Sequence, residues 1–134
     1  MIRTLLTAFL LVAISSNSGY AALGRIQPVY NVQNMTAFTA SGEPSTQQHV
    51  HDAIVAGATA KGWQVRDEAP GHIVAQIFVR SHMAEVDITF DDKAYSVNYR
   101  SSSNLLHNGT QIHRNYNRWV KFMIEKINVA LRQQ

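Results

Sequence analysis

The densest chemistry in this chain is Glu85-x-Asp87, with Arg80 before it and Arg100 after it. All four lie in stretches that alternate apolar and polar residues, so they read as strand positions. At strand spacing Glu85 and Asp87 share one face, about 7 Å apart. That separation suits the acid and base of an inverting glycosidase. The same arginines, however, would keep Glu85 ionised, whereas a general acid needs its pKa raised. A second candidate chemistry is metal binding, since the chain has six histidines. His49 and His51 are two residues apart on a predicted helix and point away from each other. His72 and His82 lie at or beside turns, and His107 and His113 flank a loop. No H-x-x-x-H pattern occurs, so the residues indicate no metal ligand set and no cofactor. The chain has no cysteine, which excludes thiol catalysis and thiolate metal sites.

The elements that must position these residues follow from periodicity. Pro28 to Val32 predicts a short first strand, and Asn34 to Pro44 a loop. Ser45-x-x-Gln48 is a capping box that opens a helix. Val50, Ala53, Ile54, Gly57, Ala58 and Lys61 share one face of it, with small residues set for close packing on a sheet. Gly62 fits the left-handed position that ends the helix. From Trp63 to about Arg100 the period is two, broken at Pro70-Gly71, His82-Met83 and Asp92-Lys93, which predicts four antiparallel strands. Two-residue turns at the last two breaks pair Val79 with Val86, Ile77 with Ile88, Ile88 with Val97 and Val86 with Tyr99. One apolar face then assembles, which a one-residue slip would scatter. The last helix runs from about Asn115 to Arg132. Tyr116, Trp119, Val120, Met123, Ile124, Ile127, Ala130 and Leu131 fall on its buried side. The expectation is an α+β domain: short strand, helix, four-stranded meander, helix, with both helices on one sheet face.

The same register predicts the opposite sheet face. Arg80 should sit across from Glu85, Glu85 across from Arg100, and Phe78, Asp87 and Asn98 on the next rung. Such cross-strand charge pairs contribute a few tenths of a kcal/mol up to about 1, so a solvated ladder that fixes register accounts for them. The functional alternative is a recognition platform of Phe78, Arg80, Glu85, Asp87, Asn98 and Arg100, suited to a glycan or an acidic peptide. Outward-pointing Val74 and Phe78 are the unusual feature, because a purely solvated face need not carry them; cover by the N-terminal strand or by a second copy accounts for them equally well.

The first residues carry an export pattern. Arg3 precedes an apolar run from Thr4 to Ile14, shorter than the about 20 residues that span a bilayer. Polar Ser15 to Gly19 follows, and Gly19 and Ala21 suit the −3 and −1 positions of a cut. Residues 1–21 are thus expected to be a cleaved signal peptide, and 22–134 a single domain. Loss of Arg3 takes the 12 basic residues to eleven against nine acids, a charge of only +2. The cations of the last helix, Arg114, Arg118, Lys121, Lys126 and Arg132, form its solvated side. Nucleic-acid binding needs a concentrated basic face, so the small charge and the exported compartment both argue against that partner.

Several segments resemble a family of small bacterial envelope proteins usually labelled as lipoproteins or hypothetical proteins. They are Pro28–Val32, Lys61–Trp63, Gly71–Ala75, Val79–His82, Tyr95–Tyr99 and above all Ile112-His113-Arg114-Asn115-Tyr116-Asn117-Arg118-Trp119. The resemblance covers most of the chain after residue 21. It implies an envelope compartment and this fold, but no chemistry. Members commonly carry a lipidated cysteine after the signal, and this chain has none, so no lipid anchor is implied. The resulting expectation is a periplasmic, non-enzymatic interaction module whose partner is an envelope protein or glycan. A small glycan-acting enzyme using Asp87 and Glu85, and a histidine-based metal protein, are the alternatives.

Overall fold

The computed structural model describes residues 24–133; the expected signal peptide, 1–21, lies outside them. The elements in chain order are β1 (Ile26–Pro28), β2 (Val32–Thr36), α1 (Gln47–Ala60), β3 (Gln64–Ala69), β4 (His72–Val79), β5 (His82–Phe90), β6 (Ala94–Ser103), β7 (Gln111–His113) and α2 (Arg114–Leu131). Five strands form an antiparallel sheet in the order β2-β6-β5-β4-β3, and β1 pairs with β7 in a separate two-stranded ribbon. The protein is therefore α+β. No helix among the described residues is long and apolar enough to cross a membrane.

Alternation along β4, β5 and β6 builds the core. Ile73, Ala75, Ile77, Val86, Ile88, Tyr95 and Val97 point to one side and join Val50, Ile54, Tyr116, Val120, Met123 and Ile127 of the helices in one buried cluster. From Val86 to Phe90 the β5–β6 register is the expected one, with Val86 opposite Tyr99 and Ile88 opposite Val97. The β4–β5 register is not. Val79 lies opposite His82 and Ala75 opposite Val86, because the turn falls at Arg80-Ser81 rather than His82-Met83. Arg80 takes the left-handed conformation (φ 54°). The observed ladder runs from His72–Thr89 to Phe78–Met83 and Val79–His82 beside this two-residue turn. The shift is four residues, an even number, so every side chain keeps its face.

The first strand is also divided differently. Pro28, which has no N–H to give a ladder, ends β1, and the next strand begins only at Val32. β2 then runs on to Thr36, into the stretch expected to be loop, and takes the sheet edge beside β6. The intervening backbone is held from α2. Asn117, only 4% exposed, accepts from the Tyr30 N–H (3.0 Å) and donates to the Pro28 carbonyl (3.0 Å) and to Gln27 Oε1 (3.2 Å). This residue was absent from the expected core stripe, whereas Trp119 and Ala130 are only partly buried.

The α1 cap is Thr46, one residue after the expected Ser45. Its side chain accepts from the His49 N–H at 3.1 Å, while Gln48 turns instead to Asp52. Gly62 (φ 84°) follows the helix end. The small-residue stripe packs on α2 as well as on the sheet, since a Cβ on Gly57 would lie 2.4 Å from the Ile127 backbone nitrogen and 2.6 Å from its Cα. α2 begins one residue early, at Arg114, with the His113 imidazole accepting from the Asn115 N–H at 3.1 Å.

Two outcomes are expected from urea unfolding. Gly57→Ala gains about 1 kcal/mol of helix propensity. It must still destabilise, because overpacking against backbone typically costs about 1–3 kcal/mol and here outweighs that gain. Asn117→Leu leaves the Tyr30 N–H and Pro28 carbonyl without partners, a penalty of about 1–3 kcal/mol per buried group. Amide exchange should then accelerate in β1 and β2 before it does in β4 and β5.

Candidate functional site

The sheet face away from the core carries most of the residues singled out from the sequence. Its rungs run across four strands: Arg66, Val74, Asp87 and Asn98 on one, and Gln64, Gln76, Glu85 and Ser101 on the next. A bulge between Glu85 and Val86 displaces Arg100 from the ladder, so Glu85 faces Ser101 and not Arg100. Glu85 accepts from the Ser101 hydroxyl at 2.7 Å and meets Arg66 Nη1 at 3.3 Å. Arg66 also reaches Glu68, at 3.4 Å. Arg100 folds back onto Asp87 at 2.8 Å, and His72 meets the same Asp87 oxygen at 2.7 Å. Asn98 accepts from the Gln33 amide of β2.

Besides Glu85–Arg100, two more of the expected pairings fail. Arg80 does not face Glu85, since it sits in the turn, and Phe78 faces Met83 rather than Asp87. Four of the six candidates, Glu85, Asp87, Asn98 and Arg100, gather over the middle of the sheet. Phe78 and Arg80 stand apart, at the β4–β5 tip. Val74 is on the expected face but fully buried outside the main core. Arg66 and Asp87 flank it on the neighbouring strands. Phe78 is 62% exposed.

The electrostatics of Asp87 oppose a general-acid role for it. Partial burial disfavours the charged form of Asp87, but the hydrogen bonds from His72 and Arg100 outweigh it and hold the carboxyl below its ordinary range. Such a group is a poor proton donor near neutral pH.

The histidines have separate local partners. His49 meets the Leu131 carbonyl at 3.3 Å, His82 the Asn104 carbonyl at 2.6 Å, and His107 stacks on Tyr99 with ring centroids 4.0 Å apart. Burial, with Arg114 beside it, lowers the pKa of His113, in keeping with a ring nitrogen that accepts a helix N–H. Among the described residues no group of three or more His, Asp or Glu side chains is placed to hold a metal ion.

One feature has no signature in the sequence. An open groove of about 770 Å³ lies beside β3, walled by the start of α1, the β3–β4 turn and Phe90. Within it His51 bridges Asp52 and Asp67. His51 and Asp67 are separated by sixteen residues, and only the α1–β3 packing brings them together.

No protein-family model matches the chain, nor does any curated protein or solved structure.

The Asp87 cluster makes a pH prediction. Because the folded pKa is depressed, the stabilisation is present above the ordinary carboxylate value of about 4 and is lost as pH falls through the lower folded value. Asp87→Asn should flatten the acid limb of a stability-versus-pH curve below about pH 4. An unchanged acid limb would show that the pairs with His72 and Arg100 contribute nothing.

Proposed function

We propose that the protein is a non-enzymatic interaction module of the bacterial periplasm, docking on an acidic, apolar-containing segment of another envelope protein. The observation that carries this reading is the tip of the open sheet face. There Phe78 stands 62% exposed beside its cross-strand partner Met83, one turn from Arg80. The central charges of the face are committed to one another. Arg80, by contrast, is exposed and has no ion-pair partner among the described residues. An aromatic, a thioether and an uncommitted guanidinium together suit an apolar side chain next to a carboxylate. A glycan would instead favour the polar middle of the face, where amides and hydroxyls of Gln76, Asn98 and Ser101 lie. The compartment rests on the export pattern at the start of the sequence and on the resemblance to envelope proteins.

The test is photocrosslinking in the native envelope with a photoreactive aromatic in place of Phe78, and a control at Lys126 on α2. A discrete protein adduct at 78 alone, lost when Arg80→Glu is added, is the expected result. Adducts to polysaccharide, or a pattern equal to that at 126, would overturn it. Recovery of the protein in the cytoplasm with residues 1–21 intact would overturn the compartment separately.

A further inference from the structure

The groove beside β3 contains a cluster that the open face does not use. His51 lies in the second turn of α1, with Nδ1 3.0 Å from Asp52 Oδ1 and Nε2 2.8 Å from Asp67 Oδ1 of β3. Its ring rests against Phe90 at 5.9 Å between centroids. Carboxylate oxygens only accept, so both contacts are hydrogen bonds only when both ring nitrogens carry protons. A neutral imidazole has one N–H and must leave one carboxylate facing a lone pair. The two partners are unequal. Asp52 keeps a second donor, the Gln48 amide at 2.8 Å, on its own helix, whereas His51 is the hydrogen-bond partner that ties Asp67 to α1.

We propose that His51 is a proton-operated latch between α1 and the edge strand β3. Doubly protonated, it clamps Asp67 and holds the groove wall in place; on losing a proton it releases that end of the strand. The charged groups facing it are Asp52 from α1 and Asp67 from β3. Glu68, also on the groove, is tied to Arg66. From β5 and the β3–β4 turn, the uncharged Phe90 and Gly71 complete the walls. β3 is suited to local release. It is an edge strand paired only with β4, and its ladder is already irregular between Asp67 and Ala69.

The direction of the effect follows from the partners. The Asp52 hydrogen bond raises the His51 pKa, partial burial opposes it, and Asp67 adds to the rise. A raised folded pKa means the latch is fully closed below the ordinary histidine range. It is lost as pH rises through the higher folded value.

The test combines imidazole ¹⁵N NMR with amide exchange corrected for intrinsic rates, on the same side chain and strand. Below its titration His51 should show two protonated nitrogens, with a midpoint above that of a free histidine. Protection of β3 amides should fall several-fold as pH rises through that midpoint, while β5 and β6 amides stay unchanged. Asp67→Asn, at an exposed side chain, should lower the midpoint and remove the pH dependence at β3; His51→Gln should remove it as well. A midpoint at or below the free value, or β3 protection equal on both sides of the titration, would overturn the latch. Asp67→Asn decides the matter even where the His51 variant fails to fold.

Discussion

The contact between Gly57 and the Ile127 backbone sets the geometry on which the rest depends. A side chain at 57 would meet backbone atoms at 2.4–2.6 Å, so the two helices approach more closely there than any residue with a Cβ permits. That nesting lets α1 and α2 contribute to a single core with the inward residues of the sheet. Val50, Ala53, Ile54 and Ala58 are then buried on one helix, and Val120, Met123, Ile124 and Ile127 on the other. The close crossing and the alternation of the strands are two halves of one arrangement. The alternation sends the apolar set to one side, and the glycine brings the helices together there.

Gathering the helices with the core has a consequence for the far side of the sheet. Its side chains meet solvent, yet Val74 in the middle of it is completely buried. Its neighbours resolve the contradiction. Arg66 and Asp87 flank it across the sheet, with Arg66 reaching Glu85 and Asp87 reaching His72 and Arg100. Long charged side chains cover apolar surface with their stems while their heads pair in water. Isolated surface pairs of this kind are worth little, about 0–1 kcal/mol each, so the network serves chiefly to shield Val74 and fix register. It also explains why a dense set of charges need not be a catalytic site. Groups paired with one another offer fewer free donors and acceptors, whereas Phe78 and Arg80 at the hairpin tip are exposed.

The sequence made legible whatever depends on local period. The α+β class, the helix faces, the β5–β6 register and the Pro70-Gly71 turn follow from alternation and turn chemistry. The β4–β5 hairpin departs from the expected register because two registers four residues apart bury the same face. Hydrophobic pattern cannot separate them, and both close with a two-residue turn; the observed one places Arg80 and Ser81 in it. The Glu85 bulge was invisible for a related reason: Val86–Tyr99 and Ile88–Val97 fit the pattern with or without it, yet it decides that Arg100 pairs with Asp87. The His51–Asp67 bridge was beyond reach, since it exists only once α1 has packed against β3.

Asn117 shows how a motif can be recognisable before its physical meaning is. Ile112 to Trp119 is the most specific part of the resemblance to envelope proteins, and it mixes polar residues into a helix start where an apolar stripe was sought. In the fold four of its members have a structural task. Ile112 and Tyr116 are fully buried, and His113 caps α2 with its imidazole. Asn117 uses both amide atoms on the backbone of residues 28 and 30. That segment joins the β1–β7 ribbon to β2 at the sheet edge, and Lys121 of α2 also lies over the Tyr30 ring, 4.9 Å from its centroid. An apolar residue would pack there but leave a backbone donor and acceptor unpaired, whereas an amide supplies the complementary acceptor and donor. A buried polar residue on an otherwise apolar helix face is thus demanded by the irregular strand break that Pro28 imposes. Through Asn117 the motif docks the N-terminal segment on α2.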